Sequence, residues 1–224
     1  MGIQYLIQFE KDTIVYFPKI LMCTKIKMML LVLSIIVLVV YLLPRYQEPR
    51  VIPNFLTDDE RRHIVAKAEQ KLHVSTVAED RKIDTKVRDS ETAWLDFDDP
   101  VVKRVAERCV ALTDRPLTNS EYLQVLRYKP GGHYAPHQDT FDDIKGNKRM
   151  YTVILALNDD YEEGETEFPN LNKKYKLKAG DALFFHTLDN YELMTSKALH
   201  GGRPVKSGEK WICNLWVHKY PYDV

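Results

Sequence analysis

The chain contains 224 residues, of which 45% are hydrophobic and 29% are charged, and its formal net charge is zero. This length fits one domain of ordinary size with an additional segment, and the composition is that of a globular protein rather than a disordered one. A neutral chain gives no indication of a nucleic-acid partner, because proteins that bind nucleic acids usually present a basic surface. We therefore expect a globular domain that binds no nucleic acid.

An uncharged apolar run, MMLLVLSIIVLVVYLL, occupies residues 28–43. Its length is close to the lower limit of about 17 residues for a transmembrane helix. A cleaved signal peptide and a buried core helix are the alternatives, but the leader before the run is long and no small-residue cleavage site follows it. Lys25 and Lys27 precede the run and Arg45 follows it. We therefore predict a retained signal-anchor of single-pass type II topology, with residues 1–27 in the cytoplasm and the body in the lumen of the endoplasmic reticulum or Golgi.

Two helices are predicted after the apolar run. Residues 44–56 contain three prolines and indicate a linker, so residues 57–224 are expected to form one domain. Thr57 and Glu60 have the spacing of a capping box, and Pro100 occupies a position typical of a first helical turn. The apolar residues at helical spacing are Ile64, Ala68 and Leu72 in the first helix and Val102, Val105, Cys109 and Leu112 in the second.

From residue 121 onward the pattern is that of short strands. The segments YLQVLRY, MYTVILAL, KKYKLK, DALFFHTL and KWICNLWVHKY are rich in β-branched and aromatic residues and are bounded by turn-forming residues. Helices followed by a run of strands indicate a mainly β domain with flanking helices, and about eight strands suit a jelly roll.

The cysteines allow two interpretations. Cys109 and Cys213 are far apart in sequence. A lumenal body would permit a disulfide between them. Two buried free thiols are the favoured interpretation, because free cysteine is among the most buried residue types.

The segment YKPGGHYAPHQDT contains His137 and Asp139. In an extended strand these two side chains share a face, as metal ligands would. A His-x-Asp pair is weak evidence alone, and two ligands hold a divalent ion poorly. A third ligand must therefore come from another part of the chain, and the candidates are His63, His73, His133, His186, His200 and His218.

His200 is the candidate with a local signal, because two glycines follow it and permit close backbone approach or a bulge. Two imidazoles and one carboxylate on one face are the ligand set of non-haem Fe(II) oxygenases. A structural zinc site would be closed and usually rich in cysteine. Lys210 follows ten residues later. It is either a surface lysine after a turn or a buried cation that needs an anionic partner such as a dicarboxylate.

Together, His137, Asp139, His200 and Lys210 resemble the collagen-type prolyl 4-hydroxylases, which are Fe(II)- and 2-oxoglutarate-dependent dioxygenases. The segments VRDSETAWL, RMYTVILALND, GETEFP, KAGDALFF and KWICNLWVH extend the resemblance over about residues 50–219. The resemblance is greatest to the short plant, algal and viral members. It implies a double-stranded β-helix, or jelly-roll, core preceded by a single N-terminal transmembrane helix.

The resemblance also implies residue roles. His137, Asp139 and His200 would ligate Fe(II), and these three residues with Lys210 would form the catalytic set. Lys210 and Tyr128 would bind the distal carboxylate of 2-oxoglutarate, and Thr152 would add a hydrogen bond. L-Ascorbate would restore oxidised iron. The residues implied in the peptide groove are Arg88, Ser90, Glu121, Tyr134, Arg149, Trp216 and His218.

The implied activity is hydroxylation of peptidyl proline in proline-rich or collagen-like sequences, with release of succinate and CO₂. Two alternatives remain at this point. The first is an Fe(II)- and 2-oxoglutarate-dependent hydroxylase of another residue or a small molecule. The second is a non-catalytic jelly-roll binding module.

Overall fold

The computed structural model of the protein describes residues 24–76, 83–140 and 146–222. The chain divides into two compact units, residues Met1–Pro44 and Arg45–Val224. The predicted cytoplasmic segment lies almost wholly outside the described residues.

The described part of the first unit is one helix, α1, at Thr24–Leu42. It overlaps the predicted span of residues 28–43, and its large apolar side chains are exposed. By length and composition α1 is able to cross a membrane, a property that membrane anchors share with N-terminal signal sequences.

The described part of the second unit contains two α-helices and three short 3-10 helices at Leu117–Asn119, Pro169–Leu171 and Ser196–Ala198, and its strands are numbered β1 to β14 along the chain. The α-helices are α2 at Asp58–Glu69 and α3 at Pro100–Val110. The strands are β1 Arg50–Ile52, β2 His73–Val74, β3 Arg88–Asp89, β4 Glu91–Leu95, β5 Leu123–Tyr128, β6 His133–His137, β7 Arg149–Ala156, β8 Glu162–Glu163, β9 Thr166–Phe168, β10 Lys173–Tyr175, β11 Ala182–His186, β12 His200–Gly202, β13 Val205–Ser207 and β14 Lys210–His218.

Both helices begin as predicted from their caps. The Thr57 side chain accepts a hydrogen bond from the Glu60 backbone nitrogen, and the Glu60 carboxylate accepts one from the Thr57 nitrogen, so the capping box is complete. At α3 the Asp99 carboxylate caps the first turn. Both helices are shorter than the apolar pattern indicated, because Leu72 and Leu112 lie beyond their ends.

The strands form two main sheets, as expected for a jelly roll. A seven-stranded sheet has the order β1-β11-β7-β14-β5-β4-β2, and a five-stranded sheet has the order β10-β9-β12-β6-β3. Strands β8 and β13 form a separate pair. The fourteen described strands outnumber the eight expected, because four strands that precede residue 121 extend the two sheets and β8 and β13 form the separate pair.

The segment predicted as a linker contains one of these added strands. Arg50–Ile52 is β1, which pairs with β11 at the edge of the larger sheet. Just before it, the Tyr46 hydroxyl donates to the His186 carbonyl at 2.9 Å, and the Tyr175 hydroxyl donates to the Pro49 carbonyl at 3.2 Å. This segment is therefore part of the folded unit, which the three prolines concealed.

Two hydrophobic clusters lie on opposite faces of the larger sheet. One face packs against α2 and α3 through residues such as Ile64 and Val105, and Cys109 and Cys213 are buried there as free thiols. The other face turns toward the smaller sheet around Phe168 and Phe185. Alternation along β14 assigns every second residue to each face, so Lys210 and its i+2 neighbours point between the sheets.

Candidate active site

Three of the predicted ligands meet at one end of the space between the sheets. His137 ends β6 and His200 begins β12, and the two residues are direct partners in the antiparallel pair. The ligand atoms of His137, Asp139 and His200 lie within 4.8 Å of one another. Each imidazole Nε2 is 3.5 Å from one oxygen of Asp139.

Glycine permits this close pairing of β12 with β6. A Cβ atom on Gly201 would lie 2.9 Å from the Tyr134 carbonyl oxygen and 3.0 Å from the Pro136 nitrogen. The pairing also shifts register between His200 and Gly202. The predicted close approach and bulge after His200 are therefore both confirmed.

Hydrogen bonds orient each of the three side chains. Nδ1 of His137 lies 2.9 Å from the Ala135 carbonyl, and Nδ1 of His200 lies 3.1 Å from the Ala198 carbonyl. Donation from Nδ1 leaves Nε2 of each ring as the lone-pair atom that a metal requires. Thr152, which was predicted to contact 2-oxoglutarate, lines the pocket, and its hydroxyl donates to Asp139 at 2.7 Å.

The charges in the cluster suit a metal site. Burial lowers the pKa of His200 to about 4, so this imidazole is neutral at neutral pH. Burial alone would raise the pKa of Asp139, but His200, His137 and Arg149 outweigh it and hold the pKa far below its usual range. Two imidazoles and one carboxylate form a donor set that fits Fe(II) and leaves three coordination positions for other groups.

The other histidines that were considered as ligands lie outside the cluster. His63 pairs with Asp99 at 2.8 Å, and His218 contacts Glu121 at 2.9 Å. His133 contacts the backbone carbonyl of Gly131. Within the described ranges, only the trio of His137, Asp139 and His200 has the spacing of a metal site.

A pocket extends from the trio to Tyr128 and Lys210. Lys210 pairs with Tyr128 between β14 and β5, and both side chains are buried. The Lys210 Nζ donates to the Gly164 carbonyl at 2.8 Å. Burial, and secondarily Lys176, lowers the pKa of Lys210 to about 8. No carboxylate among the described residues forms an ion pair with this buried amine, so the pocket is suited to an anion.

The residues predicted for the peptide groove form two groups. Arg88 lies over the Tyr134 ring at 4.7 Å and donates to Ser90 at 3.1 Å, while Tyr134 stacks on His137 at 3.7 Å between ring centres. This group therefore reaches the trio through Tyr134, which also lines the pocket.

The second group is a buried charged network. Glu121 accepts from Arg149 at 2.5 Å and lies 2.9 Å from the His218 Nε2. Arg149 lies 3.9 Å from the centre of the Trp216 ring and also donates to the Asp139 carbonyl at 3.2 Å. The network therefore adjoins the trio through Asp139 and includes the end of β14 opposite to Lys210.

Besides the two glycines that follow His200, four residues line the pocket that sequence reasoning missed. They are Ile154, Thr166, Ile212 and Asn214. Asn214 had a usable signal, because it is at i+4 from Lys210 on a strand and therefore shares its face. Its buried Oδ1 has no hydrogen-bond partner in the described structure.

Comparison with known proteins agrees with this site. Residues 123–218 match the model of the 2OG-Fe(II) oxygenase superfamily. The chain belongs to this superfamily and, within it, to the prolyl 4-hydroxylases. The sequence resemblance implied an iron- and 2-oxoglutarate-dependent dioxygenase, and this class is confirmed.

Relatives and solved structures support the narrower assignment. A protein of Acanthamoeba polyphaga mimivirus, named as a predicted prolyl 4-hydroxylase, is 38% identical over 80% of this chain and 77% of its own length. Prolyl 4-hydroxylase 2 of Arabidopsis thaliana is 33% identical over 77% and 68%. The 2-oxoglutarate complex of the viral collagen prolyl hydroxylase from Paramecium bursaria Chlorella virus-1 is 30% identical, with a TM-score of 0.65 over 78% of this chain and 97% of that chain.

Proposed function

We propose that this protein hydroxylates peptidyl proline at C4 in proline-rich or collagen-like segments. The observation that carries the proposal is the trio of His137, Asp139 and His200 beside a buried Lys210 with no carboxylate in ion-pair contact. This arrangement occurs in a chain related to prolyl 4-hydroxylases. Bound Fe(II) and 2-oxoglutarate supply O₂-dependent hydroxylation, with succinate and CO₂ as co-products.

The trio would hold the iron. The carbonyls of Ala135 and Ala198 fix the two imidazoles, and Thr152 fixes one oxygen of Asp139. Because Asp139 is ionised and His200 neutral at neutral pH, these two side chains are able to bind a dication without a change in protonation. Rigid ligands of this kind also reduce the reorganisation needed when a metal binds.

Lys210 and Tyr128 would bind the distal carboxylate of 2-oxoglutarate. A buried ammonium is costly without an anion, so a dicarboxylate offsets a penalty that the ligand-free protein carries. A lysine offers a point charge, whereas an arginine would present a planar fork. The neighbouring Tyr128 hydroxyl is protonated, because burial raises its pKa, and it is therefore able to donate.

The peptide would lie across the two groups of groove residues. Tyr134 and Trp216 offer aromatic faces, which suit the extended conformation of proline-rich chains. Arg88, Ser90, Glu121, Arg149 and His218 would shape the walls between them. The target ring would then approach the trio from the side opposite Lys210.

The proposal also covers the location and the reductant. Residues 28–43 would anchor the protein, with residues 44–56 leading into a lumenal domain of residues 57–224, in the endoplasmic reticulum or Golgi. L-Ascorbate would sustain turnover. Labelling of the two termini in sealed microsomes tests the type II topology.

The deciding experiment measures turnover by the full-length chain in detergent. It is incubated with Fe(II), ascorbate and carboxyl-labelled 2-oxoglutarate, and the release of CO₂ is followed with a proline-rich peptide, a collagen-like peptide and the same peptides with alanine in place of proline. We expect stimulation by the proline peptides only, and a mass increase of one oxygen on proline.

His200→Ala is the matched control and is expected to be inactive. Stimulation by the alanine peptides equal to that by the proline peptides would assign another acceptor. Turnover without any peptide stimulation would also contradict the proposal.

A further inference from the structure

We infer that Lys176 is a positioning residue for the cosubstrate, acting on the binding side chain of Lys210 through residues 161–164, the left-handed turn in which β8 ends. The inference rests on the proposed role of Lys210. Lys176 follows β10 and lies outside the pocket, so it would act without touching the ligand.

Two lysines hold this turn from opposite sides. From the exposed side, the Lys176 Nζ donates to the carbonyls of Tyr161 at 2.9 Å and Glu163 at 2.7 Å. From the buried side, the Lys210 Nζ donates to the next carbonyl, that of Gly164, at 2.8 Å. The Lys176 Nζ also lies 3.1 Å from the centre of the Tyr161 ring. The position of one lysine is therefore linked to the other through a few backbone atoms.

The turn needs such support because its backbone is unusual. Glu163 has φ 58° and Gly164 has φ 66°, so two consecutive residues are left-handed. For a residue with a side chain this conformation costs about 1 to 2 kcal/mol. A bond from Lys176 to the Glu163 carbonyl stabilises the left-handed residue directly before the carbonyl that Lys210 uses.

The turn is also packed tightly against its neighbours. A Cβ atom on Gly164 would lie 3.0 Å from Val205 and 3.2 Å from the Tyr161 ring. The Gly164 nitrogen donates to the Pro204 carbonyl at 3.1 Å. A shift of the Gly164 carbonyl would therefore move the Lys210 amine rather than being absorbed by the turn.

The charge of Lys176 favours a role in anion binding over simple bracing. Its ammonium is close enough to Lys210 to be the main charged neighbour that lowers the pKa of that amine. Two cations near one another raise the energy of the ligand-free pocket, and an arriving dianion relieves this repulsion. A neutral donor would support the turn without that electrostatic gain.

The test measures binding rather than turnover. Calorimetry on the full-length, Mn(II)-loaded protein compares 2-oxoglutarate with 2-oxobutyrate, a 2-oxo acid that lacks the distal carboxylate. For Lys176→Met we expect the Kd of 2-oxoglutarate to rise about 3- to 10-fold, as for the loss of about one hydrogen bond, while the Kd of 2-oxobutyrate changes less than about 2-fold. Lys176→Arg should restore most of the affinity.

Lys174→Met is the matched control, because Lys174 is exposed in β10 two residues away. It should leave both constants unchanged. Gly164→Ala perturbs the same turn without touching Lys176, and it should show the same selective loss.

Equal weakening of both acids in the two turn variants, or unchanged affinity in Lys176→Met, would overturn the inference. Failure of the unaltered protein to bind 2-oxoglutarate would instead contradict the proposed function.

Discussion

Lys210 and Arg149 are basic side chains on opposite sides of the same candidate metal trio, and their surroundings differ. Lys210 is buried with a backbone carbonyl as its acceptor, in a pocket where the described residues offer it no ion pair. Arg149 is bonded to the buried carboxylate of Glu121, which also contacts His218. One cation is left for a ligand and the other is neutralised by the protein.

This difference indicates which basic side chain binds a ligand and which one stabilises the fold. An uncompensated buried charge is expensive, so a fold retains one where a ligand of opposite charge arrives. A compensated network makes a rigid wall, and removing one member leaves the other buried and unpaired. Lys210 should therefore govern cosubstrate affinity, and the Glu121 network should govern stability and the shape of the groove.

The largest expected effect comes from the trio that both sides share. His200→Ala should lower Fe(II) affinity and 2-oxoglutarate decarboxylation by at least about 100-fold, because even residues that only orient ligands often contribute 10- to 100-fold. Metal content after dialysis and CO₂ release measure this. A His200→Ala protein that keeps its metal and its activity would contradict the assignment of the trio as the metal site.

The second prediction compares how removal of each cation changes the free energy of unfolding. Arg149→Met should lower the free energy of unfolding by about 3 to 5 kcal/mol, because it leaves Glu121 buried without its guanidinium. Lys210→Met should leave the ligand-free protein equally stable or more stable, because it removes a buried charge. Urea unfolding without cosubstrate measures both, and a Lys210→Met protein as unstable as Arg149→Met would contradict the distinction.

The third prediction uses 2-oxoglutarate affinity. Lys210→Met should raise the Kd of 2-oxoglutarate about 10- to 100-fold, since a hydrogen bond to a charged group contributes about 1.5 to 3 kcal/mol. The affinity for 2-oxobutyrate should change little. Calorimetry on the metal-loaded protein checks this, and equal losses for the two acids would place the distal carboxylate elsewhere.

The fourth prediction concerns pH. The pKa of Lys210 is about 8 in the ligand-free protein, lowered from 10.5 chiefly by burial. The unfolded chain therefore binds more protons between these values, and folding stability should rise with pH across this window. Over the same window 2-oxoglutarate affinity should fall, by up to about tenfold per pH unit, because the bound form needs the ammonium. Lys210→Met should flatten both profiles, and parallel profiles in the two proteins would exclude Lys210 as their source.

Local chemistry indicated two members of the trio, and the family resemblance implied the third. His137 and Asp139 are two residues apart on one strand, and the glycines after His200 indicate a close backbone approach. The pairing of His200 with His137 depends on which strands become neighbours, and no local pattern encodes that. The face shared by Lys210 and Asn214 was present in the alternation of β14 and was not used.

The edges of the fold were less predictable. Strand β1 is three residues long and is followed by Pro53, so its composition resembles a linker. The strands before residue 121 are also short, and each depends on a partner far along the chain for its hydrogen bonds. Short edge strands carry little periodicity, and tertiary pairing decides whether they form.

The smallest predicted effect concerns Trp216, which belongs to the same buried network as Arg149 and Glu121. Trp216 packs under Arg149, and its buried indole Nε1 has no hydrogen-bond partner among the described residues. Trp216→Phe should change stability by no more than about 1 kcal/mol, because it keeps an aromatic face for Arg149 and removes a buried unpaired donor. If the indole donates to a peptide carbonyl, the KM for a proline-rich peptide should rise about 3- to 10-fold while 2-oxoglutarate affinity is unchanged. Steady-state kinetics with each substrate varied in turn separate these effects. An unchanged peptide KM would indicate that Trp216, like Glu121, only supports the fold. A raised peptide KM would indicate that its N–H binds the peptide, as Lys210 would bind 2-oxoglutarate on the opposite side of the metal site.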